Sequence, residues 1–186
     1  MADVINYNCD DDLGDQILND CGEELLGGID AAVLLASNHL ITNPSNGTQI
    51  AAEIAAGRAT LVRNIKVGIT KASPIEVESN VACSAPKLVN YDRAATYIDG
   101  NVSIPNISFY NNLANGRSLG GIIFHLCGTA DADSGEKVLW LNSEVKLTGS
   151  LVVPADNNSF MMFDGDLKWR KKAMPLMYHN PVGIFV

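Results

Sequence analysis

The sequence predicts a mainly β protein, an antiparallel sandwich or barrel with one or two short helices. After residue 82, short apolar runs are broken every few residues by Pro, Asn and Gly, and Asp99-Gly100 and Asp164-Gly165 are typical turn dipeptides. Residues 57–79 alternate between apolar and polar side chains, as half-buried strands do. We expect one domain over residues 1–186, with a polar acidic arm at about residues 1–14.

The alternation within residues 57–79 predicts two strands joined at Pro74, either as a hairpin or as a sheet corner. One face of this segment is apolar and is expected to join the core; it consists of Ile65, Val67, Ile69, Ile75 and Val77. The other face is charged and is expected to contact other subunits; its candidate residues are Arg63, Lys66, Glu76 and Glu78.

The remaining elements follow from local spacing and from capping residues. Apolar positions at helical spacing predict a short helix over residues 15–26, and good helix formers predict another over residues 48–56, closed by Gly57. Residues 29–41 are apolar and Ala-rich, and the flanking Gly and Asn-Pro favour a buried strand over a helix. Residues 101–110 are interpreted as strand-like, because the broken pattern after residue 80 leaves little room for helix.

Composition limits the class of protein and its compartment. The chain is 47% hydrophobic and 18% charged, which is typical of a soluble globular protein. It has no apolar run of roughly 18 residues, so we expect no membrane span. The first residues lack the basic and apolar regions of a signal peptide, so we expect synthesis in a cytoplasm. The widely spaced Cys9, Cys21, Cys83 and Cys127 are then expected to be reduced thiols.

Charge is distributed unevenly along the chain. The net charge is −8, yet residues 1–30 hold nine Asp and Glu side chains and no Lys or Arg, whereas residues 168–172 hold four basic side chains around Trp169. An acidic protein does not suit general nucleic-acid binding, which needs a basic face. The pattern does suit subunits that meet head to tail, the acidic front of one against the basic back of the next.

The basic cluster at residues 168–172 admits two interpretations. Basic side chains with an interleaved Trp suit a phosphate backbone with a stacked base, and they also suit an interface between subunits. We favour the interface, because an acidic partner segment is encoded in the same chain. The candidate interface residues at the two ends of the chain are Asp10, Asp11, Asp12, Asp15, Lys168, Arg170, Lys171 and Lys172.

Two acidic segments and one His-Cys pair were considered as metal sites. Residues 10–15 and 131–136 cluster carboxylates, but neither fits the register of an EF-hand loop, and residues 131–136 are better explained as a tight turn between strands. His125 and Cys127 would share one face of a strand, yet no further ligands lie at matching spacing. A buried Cys beside a hydrogen-bonded His in a core strand is favoured, and we expect neither metal nor cofactor.

The sequence offers little support for catalysis. Its three histidines are not accompanied by a Gly-x-Ser-x-Gly elbow, and residues 116–121 have neither the spacing of a dinucleotide loop nor the Lys of a P-loop. The sequence does not exclude a catalytic pair of carboxylates of the glycosidase type, but it identifies no particular pair. We expect that the protein is not an enzyme, with a hydrolase of unrecognised type as a remote alternative.

Three segments resemble the tail-tube and tail-ring (connector-type) proteins of tailed phages, most closely those of crAss-like phages. They are TQIAAEIAAGRATLVRNIKVGI, TKASPIEVES and LNSEVKLTGSLVVPADNNSFMMFDGDLKWRKKAMPLMY. The resemblance implies a β-barrel or sandwich protomer with a flanking helix, assembled into a ring or tube that lines or supports a DNA channel. It further implies a virion location, neighbouring ring, portal or tail proteins as partners, and DNA that passes without specific binding.

Physical principles are compatible with this resemblance. Head-to-tail contacts between identical subunits generate a ring when the rotation closes, and an acidic lumen repels phosphate so that DNA slides. The main alternative is a β-sandwich binding module, such as a capsid decoration or fibre component. That alternative predicts an exposed aromatic platform, which aromatic residues at 6% of the chain, with Trp140 and Trp169 far apart, do not favour.

Overall fold

The structure is a computed structural model and describes residues 28–77, 87–114, 118–131, 135–155 and 161–185. Within these residues the chain forms nine strands and two helices. The strands are β1 (Gly28–Ala36), β2 (Ala59–Ile69), β3 (Ser73–Val77), β4 (Lys87–Asp99), β5 (Leu119–Asp131), β6 (Gly135–Leu141), β7 (Val145–Val152), β8 (Met162–Arg170) and β9 (Leu176–His179). The helices are α1 (Gly47–Ala55) and α2 (Ile104–Ala114). The described residues include no helix long and apolar enough to cross a bilayer.

Six strands close into an antiparallel barrel in the order β1-β2-β4-β8-β7-β5, and β5 returns to β1. The junction between β5 and β7 is the pair Leu119 and Val145. Two branches leave this barrel: β3 pairs with β4, and β6 followed by β9 extends from β5. The predicted mainly β architecture with short helices is therefore confirmed.

A bend in β2 allows the sheet to close. Residues 59–63 of β2 pair with β1, residues 65–69 pair with β4, and Val67 pairs with both. At the switch, Asn64 has a positive φ of 60°, a backbone conformation that Asn tolerates better than most residues. The extra residues opposite β1 at this point form a bulge, which bends a strand and increases its twist.

The barrel interior and its outer wall carry separate apolar cores. Inside the barrel, inward side chains of the strands pack with Phe109, Tyr110 and Leu113 of α2, so this helix covers the barrel interior. Outside, β1, β5 and β6 pack against α1 and the C-terminal segment through residues such as Ile50 and Ile184. Residues 31–36 therefore form a continuous apolar run because this part of β1 is buried on both faces.

A hydrogen-bonded chain of three polar side chains lies within the barrel core. Tyr110 donates to the Asp99 carboxylate over 2.5 Å, and the Tyr97 and Tyr110 hydroxyls lie 2.6 Å apart. Because the single Tyr110 proton is directed at Asp99, Tyr97 is the donor to Tyr110. Burial raises the pKa of both tyrosines, so both stay protonated. The Asp99 side chain is 3% exposed and also accepts from the backbone N–H of Asn101.

Helix α1 lies where the sequence predicts a helix. The Asn46 side chain caps its first turn by accepting from the N–H of Gln49, and Gly57 follows its last turn with a φ of 70°. Glu53 projects from α1 and binds Arg58 through two hydrogen bonds of 2.6 and 2.9 Å. The hydrogen bond from Arg58 lowers the pKa of Glu53 to about 2.

The hairpin interpretation of residues 57–79 is wrong. β2 and β3 do not pair with each other; both lie along the same side of β4, one after the other. Pro74 is inside β3, where a missing N–H is tolerated because β3 is an edge strand. Of the expected core residues, Ile65 is buried, but Ile69 and Val77 are exposed, since the end of β2 and all of β3 extend beyond the packed interior.

Residues 101–110 are a second correction, because they contain most of α2 and not a strand. The backbone oxygen of Ser103 accepts from the N–H of Ile107, and its hydroxyl accepts from Asn106 at the first turn. Pro105 lies in that first turn, where its missing N–H has no intrahelical partner to lose. A residue that normally interrupts secondary structure thus begins a helix here.

The two turn dipeptides have different outcomes. Asp99-Gly100 does follow the end of β4, but Asp164-Gly165 lies in the middle of β8. Gly165 pairs with Gly149 of β7, and a Cβ at Gly165 would lie 2.5 Å from the Thr148 carbonyl oxygen. Glycine is needed there for close strand approach, not for a turn. Residues 182–185 form a turn and its exit.

Candidate functional site

Five cationic side chains line one groove of about 710 Å³ on the barrel. The groove is formed by β4, β7, β8 and the connection from β2 to β3. Its cations are Lys71, Arg93, Lys146, Lys168 and Arg170, and its carboxylates are Asp92 and Glu144. The groove, called the basic groove below, therefore has a net charge of +3. Such a surface attracts anions.

Alternation along β8 places the basic side chains outside the barrel. Every second residue from Phe163 to Trp169 is buried, and the residues between them are exposed. The exposed series is Asp164, Asp166, Lys168 and Arg170. Trp169 lies between Lys168 and Arg170, is 4% exposed and packs in the interior core of the barrel.

The strand register brings two lysines of the basic groove face to face. Lys146 of β7 is the direct cross-strand partner of Lys168 of β8, and the neighbour of Lys168 on β4 is the uncharged Ala94. Like charges directly opposite each other destabilise a sheet. Arg170 is compensated, because its Nε lies 2.6 Å from Asp92 Oδ1. Within the described residues, Lys71, Lys146 and Lys168 make no hydrogen bond or ion pair.

Arg93 and Lys171 make hydrogen bonds that fix the end of β8. Arg93 donates from Nε to the Lys171 carbonyl at 3.1 Å and from Nη2 to the Lys172 carbonyl at 3.4 Å. The Lys171 ammonium donates to the Asn142 carbonyl at 2.5 Å. These contacts tie residues 171–172 to β4 and to the connection before β7.

The structure therefore separates the residues of the predicted basic cluster. Lys168 and Arg170 line the basic groove, whereas Lys171 is half-buried against Asn142 and Lys172 is exposed beyond the strand. Sequence reasoning did not identify Lys71, Arg93 and Lys146 as members of the same site; their common location depends on strand register, which no local pattern reports.

The other predicted interface residues lie apart from the groove. Arg63 donates to the Ile184 carbonyl at 3.1 Å and so holds the C-terminal segment against the barrel wall. Lys66 and Glu76 are exposed on β2 and β3. The remaining candidates lie outside the described residues; they are Asp10, Asp11, Asp12, Asp15 and Glu78. The predicted helix at 15–26, the arm at 1–14, Cys9, Cys21 and Cys83 also lie outside them.

β3 and β9 each have a neighbouring strand along one side only in the described part of the chain. β3 pairs with β4 on one side, and β9 pairs with β6 on one side. Both edges carry exposed apolar side chains: Val77 on β3 is 54% exposed, and Leu176 on β9 is 56% exposed. Met177 and Met174 add to the apolar surface at β9. Unpaired edges with apolar side chains favour pairing with another chain.

The residues considered for metal binding have other roles where they are described. His125 is buried in β5, its Nδ1 lies 2.7 Å from Asp30 Oδ1, and its ring stacks on Phe185. This confirms the hydrogen-bonded core histidine. Asp131 of β5 pairs with Gly135 of β6, and residues 132–134 of the predicted turn lie outside the described residues. No cluster of three His, Cys, Asp or Glu side chains occurs in the described ranges.

A second, more open cleft of about 1010 Å³ lies where α2 approaches the first residues of β2, β5 and β7. Its charged groups are Arg58, already bonded to Glu53, and Glu144. Among the described residues that line it there is neither His nor Cys. The basic groove therefore has the more distinctive chemistry.

The fold and site define a closed six-stranded antiparallel barrel with two branch sheets and a basic groove. No family model, curated protein or solved structure matches the chain.

Proposed function

We propose that the protein is a structural subunit of a phage virion, one that assembles with copies of itself into a ring or tube at the tail or connector and lines or supports the DNA channel. The observation that carries this proposal is the pair of open sheet edges, β3 and β9. The phage context rests on the resemblance of residues 48–79 and 141–178 to tail-tube and tail-ring proteins.

The position of the two edges suits head-to-tail assembly. β3 branches from β4 and the β6-β9 pair branches from β5, and β4 and β5 are three strands apart in either direction around the barrel. The branches therefore leave opposite sides of the protomer. Pairing of β3 from one copy with β9 from the next is a heterologous contact, which closes into a ring when the rotation between copies allows it.

Charge and aromatic positions give further support. An excess of negative charge suits a channel that DNA crosses without adhering. The binding-module alternative needs an exposed aromatic platform, but Trp169 is buried and Trp140 packs edge-on against Tyr178. The two tryptophans do not supply that platform, and the structural role is the better supported proposal.

Sedimentation velocity, mass photometry and negative-stain microscopy of the purified chain test self-assembly, and mass spectrometry of purified virions tests location. We expect rings or multimers of the 19.9 kDa protomer and peptides of the chain in virions. Val77→Lys and Leu176→Lys should each weaken assembly, because a charge at an open edge blocks strand pairing.

Leu40→Lys is the matched control, because Leu40 is an exposed apolar residue that belongs to neither β3 nor β9. It should assemble as the unsubstituted chain does. A monodisperse monomer at high concentration, together with absence from virions, would overturn the proposal. Equal loss of assembly in Leu40→Lys would show that edge pairing is not the cause.

A further inference from the structure

The basic groove and the first 27 residues of the chain carry opposite charges. The groove has a net charge of +3. Residues 1–27 contain eight Asp and Glu side chains and no Lys or Arg, so this segment carries −8. Opposite potentials of this kind guide association and fix which surfaces meet.

Three lysines of the basic groove have no negatively charged partner among the described residues. Lys146 and Lys168 are opposed across β7 and β8, and with Lys71 they make no hydrogen bond or ion pair to the described residues. A carboxylate bound between two such lysines would remove their mutual repulsion. The hydrogen bonds from Arg93 to the carbonyls of Lys171 and Lys172 hold the end of β8 against β4.

We propose that the basic groove binds the acidic segment of residues 1–27 from a neighbouring copy of the chain. This interaction rests on the proposed function in one respect, that copies of the chain meet, and it names a second contact besides the sheet edges. A segment of 27 residues can span up to about 90 Å when extended, so its length is sufficient to reach an adjacent subunit.

The positions of β1 and β8 suit a head-to-tail contact with a neighbouring copy. Residues 1–27 lead directly into β1, whereas Lys168 and Arg170 lie on the outer face of β8. β1 and β8 are three strands apart in both directions around the six-stranded circuit. The segment thus joins the barrel on the side opposite the main basic strand, which places donor and acceptor surfaces head to tail.

Carbodiimide cross-linking of the full-length chain tests this contact, because the reagent joins a carboxylate to a lysine amine that it touches. Unlabelled and heavy-isotope-labelled chains are mixed, and cross-linked peptides are identified by mass spectrometry. We expect mixed-isotope links between the carboxylates of residues 1–27 and Lys71, Lys146 or Lys168. Lys66, an exposed lysine outside the groove, is the internal control and should give few such links.

Charge-neutralising variants test the same contact from both sides. In Lys146→Gln/Lys168→Gln the readout is the links that end on the remaining Lys71, and in Asp10→Asn/Asp11→Asn/Asp12→Asn it is the links from the remaining carboxylates of residues 1–27. Removing two surface ion pairs of ordinary strength should lower the yield of these remaining links about tenfold in each variant. Asp164→Asn/Asp166→Asn is the matched control, because these exposed acids lie on β8 but outside the groove. It should leave the yield unchanged, and roughly 0.5 M salt should lower the yield in every protein.

Several results would overturn the proposal. Links confined to single-isotope pairs would place the segment on its own barrel, and equal links to Lys66 would show diffuse attraction. Fluorescence anisotropy with a labelled single-stranded oligonucleotide measures binding of nucleic acid to the groove. If the oligonucleotide binds the unsubstituted chain but not Lys146→Gln/Lys168→Gln, and no cross-links to residues 1–27 form, the groove would be assigned to nucleic acid. Loss of the cross-links while sedimentation still shows multimers would refute this contact and leave the proposed assembly intact.

Discussion

Removal of one hydroxyl group from the barrel core should reveal how strongly α2 is held to the barrel. Tyr110→Phe deletes the donor to the Asp99 carboxylate and the acceptor of the Tyr97 proton. The ring itself is retained, and it stacks on Phe163 at a centroid distance of 4.0 Å, so packing should be preserved. The substitution therefore isolates the hydrogen bonds.

The expected loss is large for a single oxygen atom. A hydrogen bond to a charged group contributes about 1.5–3 kcal/mol, and a buried donor without an acceptor costs about 1–3 kcal/mol. The two effects share one group and are not fully additive, so we expect the free energy of unfolding to fall by about 3 kcal/mol. For a chain of this size the melting temperature should fall by about 6–12 °C.

Urea unfolding followed by circular dichroism, at one fixed protein concentration, measures this loss. Tyr178→Phe is the control, since Tyr178 packs against Trp140 and has no hydroxyl partner in the described residues; its change should stay within about 0.5 kcal/mol. Asp99→Asn and the double variant complete a cycle that measures the coupling between the two side chains. A Tyr110→Phe protein as stable as the unsubstituted chain would refute the reasoning.

Two further substitutions test the α1 ion pair and the close approach of β7 and β8. Arg58 lowers the pKa of Glu53 from 4.5 to about 2, so the stability due to this carboxylate is complete above pH 4.5 and is lost as the pH falls towards 2. Between pH 4.5 and 2 the free energy of unfolding of Glu53→Gln should therefore fall less steeply than that of the unsubstituted chain. Parallel curves of unfolding free energy against pH would contradict the assignment. Gly165→Ala should cost about 1–3 kcal/mol because its Cβ would strike the Thr148 carbonyl. Gly100→Ala has open space at this position and should be neutral or slightly stabilising in the same urea assay.

Elements whose determinants lie within a few residues could be predicted from the sequence. The helix formers and the terminal glycine of α1 act locally, so the predicted helix over residues 48–56 and the structure agree there. Helix α2 was missed although its signals are also local. Pro105 was interpreted as an interruption, whereas Ser103 before it supplies a cap and makes Pro acceptable in the first turn.

Features that depend on which strands become neighbours could not be predicted. Asp164-Gly165 resembles a turn dipeptide in the sequence. In the fold Gly165 lies opposite Gly149, and both glycines are needed because a Cβ at either position would be too close to the other strand. In the same way, alternation correctly predicts the extended backbone of β2 and β3 but not that both pair with β4. The predicted burial of Ile69 and Val77 is wrong, because both side chains lie beyond the core. Apolar and polar residues alternate there just as they do in the part of the strand that packs in the core.

The basic groove shows how strand register changes the meaning of a charge cluster. Counted along the sequence, residues 168–172 form one block of four cations. In the fold, Lys168 lies opposite Lys146 of the preceding strand, β7, whereas the Lys171 ammonium donates to the Asn142 carbonyl. The cations available to an acidic partner are therefore set by pairing between β7 and β8, and a one-residue shift of that pairing would turn Lys146 towards the barrel interior. An anion-binding surface that depends on register in this way exists in the folded barrel and not in the unfolded chain, so binding of an acidic segment there should stabilise the fold.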